Sequence, residues 1–316
     1  MLEAPVSSPE NSTIVRSCRM SIAQRIALGA VSALSRMAPS LAARQAERLF
    51  LTPPRHAAPA RERDVLAHAR AATVRVGERR LATWTWGAGP RILLVHGWGG
   101  RGGQMGAFVE PLVAEGFSVT AFDLPAHGRS EGRTASIPEM ATALAGVLDA
   151  LGPVEGIVAH SGGGAVSAWA IRRALLAGFV DLPRAIALVA PAARFRAYFE
   201  RFMDTCGLSK RARNRLERRL EARVGATPEV FDLTRFAQDL PLAALVVHDR
   251  DDAEIPWADG AAVAAAWPGA ELVTTHRLGH RRILRDQAVV ERVRDFFASA
   301  LGSGREIAPS GTAALC

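Results

Sequence analysis

Lysine is almost missing from this chain: Lys210 is the only one, so the formal charge of +8 rests on arginines spread along the sequence. Dispersed arginine with so little lysine is a coding-bias pattern and not a basic stripe on one element, which sets nucleic-acid binding aside. Cysteine is scarce as well. The three present, Cys18, Cys206 and Cys316, are odd in number and lack metal-ligand spacing. That excludes a disulfide framework and points to a reducing compartment. Long apolar runs are also absent. A membrane-crossing helix needs about 18 apolar residues and a secretory segment about 7–15, and the best stretch, from Ser21, is broken by Gln24, Arg25, Ser32 and Ser35. With no targeting signal, the cytoplasm is the expected compartment. No group of histidines has the spacing of a zinc site, so no metal is expected.

What the chain does have is bulk and alternation. Its 316 residues, 49% hydrophobic, suffice for one large core. Two hairpin strands are predicted at Thr73–Val76 and Leu81–Trp86, with Gly77 in the turn. Strands then alternate with helices: strands at 91–95, 117–122, 154–160, 184–190, 243–248 and 271–275, helices near 104–114, 136–150, 163–177, 257–267 and 286–301. That pattern predicts an α/β fold with a mostly parallel sheet flanked by helices, its reactive groups at the carboxyl ends of the strands. The main domain is expected over 63–301, between disordered tails at 1–19 and 302–316. Met20 offers an alternative translation start. Residues 20–62 read as an amphipathic helix, broken near Pro39, and a Pro-rich linker. Two roles fit that helix: packing on the core, or peripheral contact with a membrane surface.

Four segments carry chemistry. In Gly156-Ile-Val-Ala-His-Ser161-Gly-Gly-Gly164 an apolar strand stops at a serine flanked by small residues, the sequence mark of a nucleophile elbow with Ala159 and Gly163 at its crowded positions. Arg91-Ile-Leu-Leu-Val-His-Gly-Trp98-Gly-Gly100 runs a buried strand into a glycine-rich loop able to aim a backbone N–H at an oxyanion. Leu245-Val-Val-His-Asp249-Arg-Asp251-Asp252-Ala-Glu-Ile-Pro256 empties into carboxylates. Leu278-Gly279-His280 follows the last strand. Serine, acid, histidine, in that order, resembles the α/β-hydrolase superfamily. The resemblance covers roughly residues 73–300 and extends to Phe122-Asp123-Leu-Pro-Ala126-His-Gly-Arg-Ser130, where Ala126 stands in place of the usual glycine.

The resemblance implies a serine hydrolase acting on a carboxylic ester or related acyl bond of a small molecule, without cofactor. Ser161 is the expected nucleophile and His280, in preference to His276, the base. The family's aspartate four residues before a proline selects Asp252, with Asp251 and Asp249 as alternatives. Gly162 and Trp98 are the expected oxyanion donors, and His160 fills the pocket beside the elbow. His276 reads as half-buried scaffold.

The stretch between the strands at 184–190 and 243–248 is too long for a plain connection and carries helical signals. Phe195, Tyr198, Phe199, Phe202 and Met203 recur on one helix face, followed by the basic amphipathic run 210–220. In similar hydrolases such an insertion forms a helical lid, here at about 192–240, whose Phe195, Tyr198, Phe199 and Phe202 would line an acyl or alcohol pocket. Two alternatives from other classes stay open: an acyltransferase using the same residues, and a noncatalytic binding module on this fold.

Overall fold

The computed structural model describes residues 22–302; the tail at 1–19 with Met20, and the tail beyond Gly302, lie outside the described residues. Eight strands form one sheet: β1 (Arg70–Val76), β2 (Arg79–Trp86), β3 (Arg91–Val95), β4 (Ser118–Phe122), β5 (Gly156–His160), β6 (Ala185–Val189), β7 (Ala243–Asp249) and β8 (Glu271–Thr275). Their spatial order is β1-β2-β4-β3-β5-β6-β7-β8. The β1–β2 hairpin is antiparallel and so is β2 against β4, while every pairing from β4 to β8 is parallel. Strands β4, β5 and β6 are buried along their whole length, as parallel strands covered on both faces must be.

The helices are α1 (Ile22–Met37), α2 (Pro39–Leu51), α3 (Ala60–Ala67), α4 (Val109–Ala114), α5 (Ile137–Leu151), α6 (Gly162–Leu176), α7 (Phe195–Thr205), α8 (Lys210–Val224), α9 (Trp257–Ala266), α10 (Gly279–Arg282) and α11 (Gln287–Leu301). Side-chain alternation along the strands splits the core in two. Leu93, Val95, Ile157 and Ala159 pack with Leu144 and Val147 of α5, Ile171 of α6 and Val263 of α9. Ile92, Leu94 and Val158 pack on the other face with Phe108, Leu112 of α4 and Val293 and Phe297 of α11. From β3 the chain moves one way to β4 and then crosses back to β5. That reversal opens a crevice at the carboxyl ends of β3 and β5.

A third cluster stands apart from the sheet. Ala42, Ala43, Ala46 and Leu51 of α2 and Val31 of α1 bury themselves against Phe199 and Met203 of α7 and Ala212, Leu216 and Leu220 of α8. The N-terminal helices therefore find their partners in the segment between β6 and β7, and together the four make a helical cap. Small side chains let α2 approach α8 closely, and Glu47 meets Arg219 across the seam at 2.5 Å. Ser209, the N-cap of α8, donates through Oγ to the Ser35 carbonyl at 2.7 Å, and its N–H donates to Ser35 Oγ at 2.6 Å.

The Pro-rich connection from α2 to α3 is docked on the sheet's loops. Arg55 donates to the carbonyls of Ala126 at 2.9 Å and Ser130 at 2.8 Å. Helix α3 is pinned by Arg101 Nε, 2.5 Å from the buried Glu62 carboxylate, and by Trp86 Nε1–H donating to the Val65 carbonyl at 3.2 Å. Removing one partner of a buried ion pair strands the other charge. Glu62→Ala is expected to lower the unfolding free energy by about 3 kcal/mol, measured by urea titration.

Candidate active site

Strand β5 ends at His160 and α6 begins at Gly162, so one residue makes the whole turn. Ser161 takes φ 53° and ψ −125°, a region that costs a non-glycine residue about 1–3 kcal/mol. Surrounding hydrogen bonds hold it there: Ser161 N–H donates to the Val189 carbonyl at 3.0 Å, and the Ser161 carbonyl accepts from Gly164 N–H at 3.0 Å. A Cβ on Gly163 would stand 2.5 Å from the His96 carbonyl oxygen and 2.7 Å from that of Val95. Glycine is obligatory at that point. Ala159, by contrast, buries its methyl in the core cluster shared with α5 and α6, so the usual glycine there is dispensable.

His280 comes from the turn after β8. Its Nδ1 lies 2.7 Å from Asp252 Oδ2 and its Nε2 lies 3.0 Å from Ser161 Oγ. A carboxylate only accepts, so Nδ1 carries the proton and Nε2 is free to accept from the serine hydroxyl. Asp252 is buried, which pushes its carboxyl up, yet the hydrogen bonds from His248, His280 and the Ile255 N–H outweigh burial and hold it well below the usual carboxylate range. Its Oδ1 accepts from the N–H groups of Glu254 at 2.8 Å and Ile255 at 2.9 Å.

The neighbouring acids face elsewhere. Asp249 Oδ2 accepts from Thr275 Oγ1 at 2.7 Å and Leu278 N–H at 3.1 Å, while its Oδ1 accepts from Asp251 N–H at 3.0 Å. It thereby fastens the loop that carries Asp252 to the loop that carries His280. Asp251 accepts from Arg277 N–H at 2.8 Å. Of the three carboxylates, only Asp252 meets His280.

Trp98 and Gly162 converge beside the serine: a Cβ on Gly162 would lie 3.9 Å from Trp98 N. Among the described residues neither backbone N–H has an acceptor. The loop bearing Trp98 is braced by His96, whose Nδ1–H donates to the Gly97 carbonyl at 2.7 Å and whose Nε2 accepts from Leu124 N–H at 3.0 Å. Asp123 joins the loops after β3 and β4 by accepting from Gly102 N–H and Arg129 N–H, both at 2.7 Å. Ala126, in that second loop, takes φ 66°, the conformation that explains the glycine usual at its position.

The serine opens into a cleft of about 1400 Å³, walled by Phe50 and Leu51 of α2, Phe195, Tyr198 and Phe199 of α7, and Leu220 and Val224 of α8. His160 also lines it. Its Nε2–H donates to the His280 carbonyl at 2.9 Å, and the two rings lie 4.7 Å apart. Phe202 departs from its expected place. One turn beyond Phe199 on α7, it packs within the cap against Phe50, ring centroids 4.9 Å apart, and does not line the cleft. His276 is exposed, not half-buried. Sequence reasoning passed over His248, whose Nε2 lies 3.4 Å from Asp252 Oδ2 and 3.2 Å from the Ile255 carbonyl. Its place four residues before the acid was the available signal. Among the described residues no cluster could hold a metal ion, and no helix is long and apolar enough to cross a membrane.

The model of the alpha/beta hydrolase family matches residues 92–292. The chain belongs to that family. Two similar relatives are pimeloyl-[acyl-carrier protein] methyl ester esterases. The one from Methylococcus capsulatus is 50% identical over 46 residues, 15% of this chain and 18% of that protein. The one from Chromobacterium violaceum is 37% identical over 114 residues, 35% of this chain and 41% of that protein. The chain thus spans less than half the length of these relatives. An esterase of Pyrococcus furiosus shares the fold at TM-score 0.60 and 19% identity, over 80% of this chain and 98% of that one.

Three buried histidines near the serine are held neutral by this alpha/beta hydrolase. Burial lowers His96 from 6.5 to about 4 and His127 to about 3, and His160 falls well below 6.5 for the same reason. As pH drops below 6.5 the unfolded chain takes up these protons before the folded one does, so stability is lost between about 6.5 and about 4. Urea unfolding at pH 7, 6 and 5 should give midpoints that fall as the pH falls.

Proposed function

We propose that this alpha/beta hydrolase cleaves carboxylic esters through an acyl-enzyme on Ser161. The observation that carries the reading is the continuous hydrogen-bonded line from Ser161 Oγ through His280 to Asp252, at 3.0 and 2.7 Å, with a strained serine at its reacting end. A serine hydroxyl is a weak nucleophile at neutral pH, and His280 Nε2 is placed to accept its proton as Oγ attacks the acyl carbon. Asp252 fixes the tautomer and stabilises the imidazolium that forms. The N–H groups of Trp98 and Gly162 would receive the developing oxyanion, each worth about 10²–10³ in kcat. His280 then returns the proton to the leaving alcohol, and a water activated by the same nitrogen releases the acid. His160 holds the His280 backbone and borders the acyl site.

The cap helices α7 and α8, with α2, act in this reading as the lid over the serine. A cleft of about 1400 Å³ exceeds the roughly 300–1000 Å³ of most small-ligand pockets, and its Phe50, Phe195 and Phe199 wall suits an apolar chain. Ester chemistry is also what the names of the methyl ester esterase relatives state for those proteins.

Against p-nitrophenyl esters, kcat/KM should rise at least about 100-fold from acetate to octanoate, since each buried methylene contributes about 0.8 kcal/mol. Ser161→Ala should lower kcat by at least about 10⁴-fold and abolish labelling by a fluorophosphonate. Asp252→Asn should cost orders of magnitude while Asp251→Asn stays within about threefold of the parent. Phosphonate labelling that persists in Ser161→Ala, or none in the parent, would refute the nucleophile.

A further inference from the structure

The cap has a second concave surface, built from the same helices α2 and α8 that wall part of the cleft. A groove of about 710 Å³ runs between α2 and α8 and is lined by Arg44, Arg215, Arg218, Arg219 and Arg223, with Glu47 at its floor. Glu47 is already engaged: it meets Arg219 at 2.5 Å and Arg223 at 3.9 Å. Arg44, Arg215 and Arg218 are exposed, and among the described residues none of them has a carboxylate partner. Dispersed in the sequence, these arginines are gathered by the α2–α8 seam into one strongly cationic trough.

Exposed apolar side chains lie near Arg44 and Ser40 in the chain. Met37, at the end of α1, is 87% exposed and Leu41, in the first turn of α2, is 43% exposed. Leu41 stands three residues before Arg44 on α2, so the two share one flank of that helix, and Met37 closes the helix just before it. Arg36, also exposed, adds charge beside Met37. The apolar faces of α2 and α8 are spent elsewhere, in the cap core and on the cleft, and Met37 and Leu41 belong to neither.

We propose that this face of the cap docks on an anionic lipid surface, the arginines meeting headgroup phosphates and Met37 and Leu41 entering the headgroup–acyl boundary. Charge complementarity and the exposed apolar residues select this occupant. Arginine forks match phosphate oxygens, and basic residues beside exposed aliphatic ones are the composition of interfacial binders. A nucleic acid would use the arginines but has no use for Met37 and Leu41, and among the described residues the groove presents no aromatic ring for base stacking. Because α2 contributes Arg44 to the groove and Phe50 to the cleft, and α8 contributes Arg218 to one and Leu220 to the other, docking would engage the same two helices that wall the cleft.

The test is vesicle flotation with the full chain, using phosphatidylcholine alone and phosphatidylcholine mixed equally with phosphatidylglycerol. It reads binding and so is independent of whether Ser161 is a nucleophile. Binding is expected to be selective for the anionic vesicles and to weaken with salt. The triple change Arg44→Glu, Arg215→Glu, Arg218→Glu should lower the partition coefficient about 100-fold, and the pair Met37→Ser, Leu41→Ser about 10-fold. Both variants should keep the parent's melting temperature within a few degrees, since the altered side chains are exposed. Equal binding to the two vesicle types, or unchanged anionic binding by either variant, would overturn the proposal. So would retention by duplex DNA or by an acidic protein with no vesicle binding, which would reassign the groove.

Discussion

The contact on which the site depends is the near-touching of two backbones, where Gly163 lies over the carbonyl of Val95 at the end of β3 and that of His96 just beyond it. It forces the chain from strand to helix in one residue and so throws Ser161 into a positive-φ conformation. Because the same contact presses α6 onto the loop after β3, the N–H groups of Trp98 and Gly162 arrive together. One steric constraint therefore sets the position of the Ser161 hydroxyl relative to the two backbone N–H groups beside it. The sheet, with its buried parallel ladder, supplies the rigidity that keeps so strained a turn from relaxing.

Electrostatics then refines what sterics placed. In a water-poor site each buried charge needs compensation, and each carboxylate in the loop after β7 has a separate one. Asp252 has two histidines and two backbone N–H groups, Asp249 has a threonine hydroxyl and two backbone N–H groups, and Asp251 takes the N–H of Arg277. Burial keeps His96, His127 and His160 neutral, and they serve as oriented donors and acceptors. Only with His96 and His160 in their neutral tautomers can the loop after β3 and the backbone of His280 be held as they are.

Much of this was legible in the sequence for identifiable reasons. Buried parallel strands are continuous apolar runs bounded by turn residues, so the strands fall within three residues of where the pattern puts them. The elbow announces itself because its small residues are sterically compulsory. Loop carboxylates carry no such signature: nothing periodic separates Asp252 from Asp251, and their orientations depend on which backbone N–H groups the fold brings near. The aromatic stripe on α7 overstated the cleft wall because a helix face also meets other helices, and Phe202 turns to Phe50. The pairing of α2 with α8 was hidden for the same reason. An amphipathic pattern states that a face will be covered and is silent about what covers it.

The cap's two halves are far apart along the chain, with Arg219 and Glu47 separated by 172 positions. During synthesis, α1 and α2 leave the ribosome long before the helices that bury Ala42, Ala43 and Ala46 exist. The cap must therefore assemble late, after most of the sheet's strands have been made, and the N-terminal pair spends that interval with its apolar face uncovered. Any dependence of this chain on chaperones would originate in those first two helices and not in the sheet.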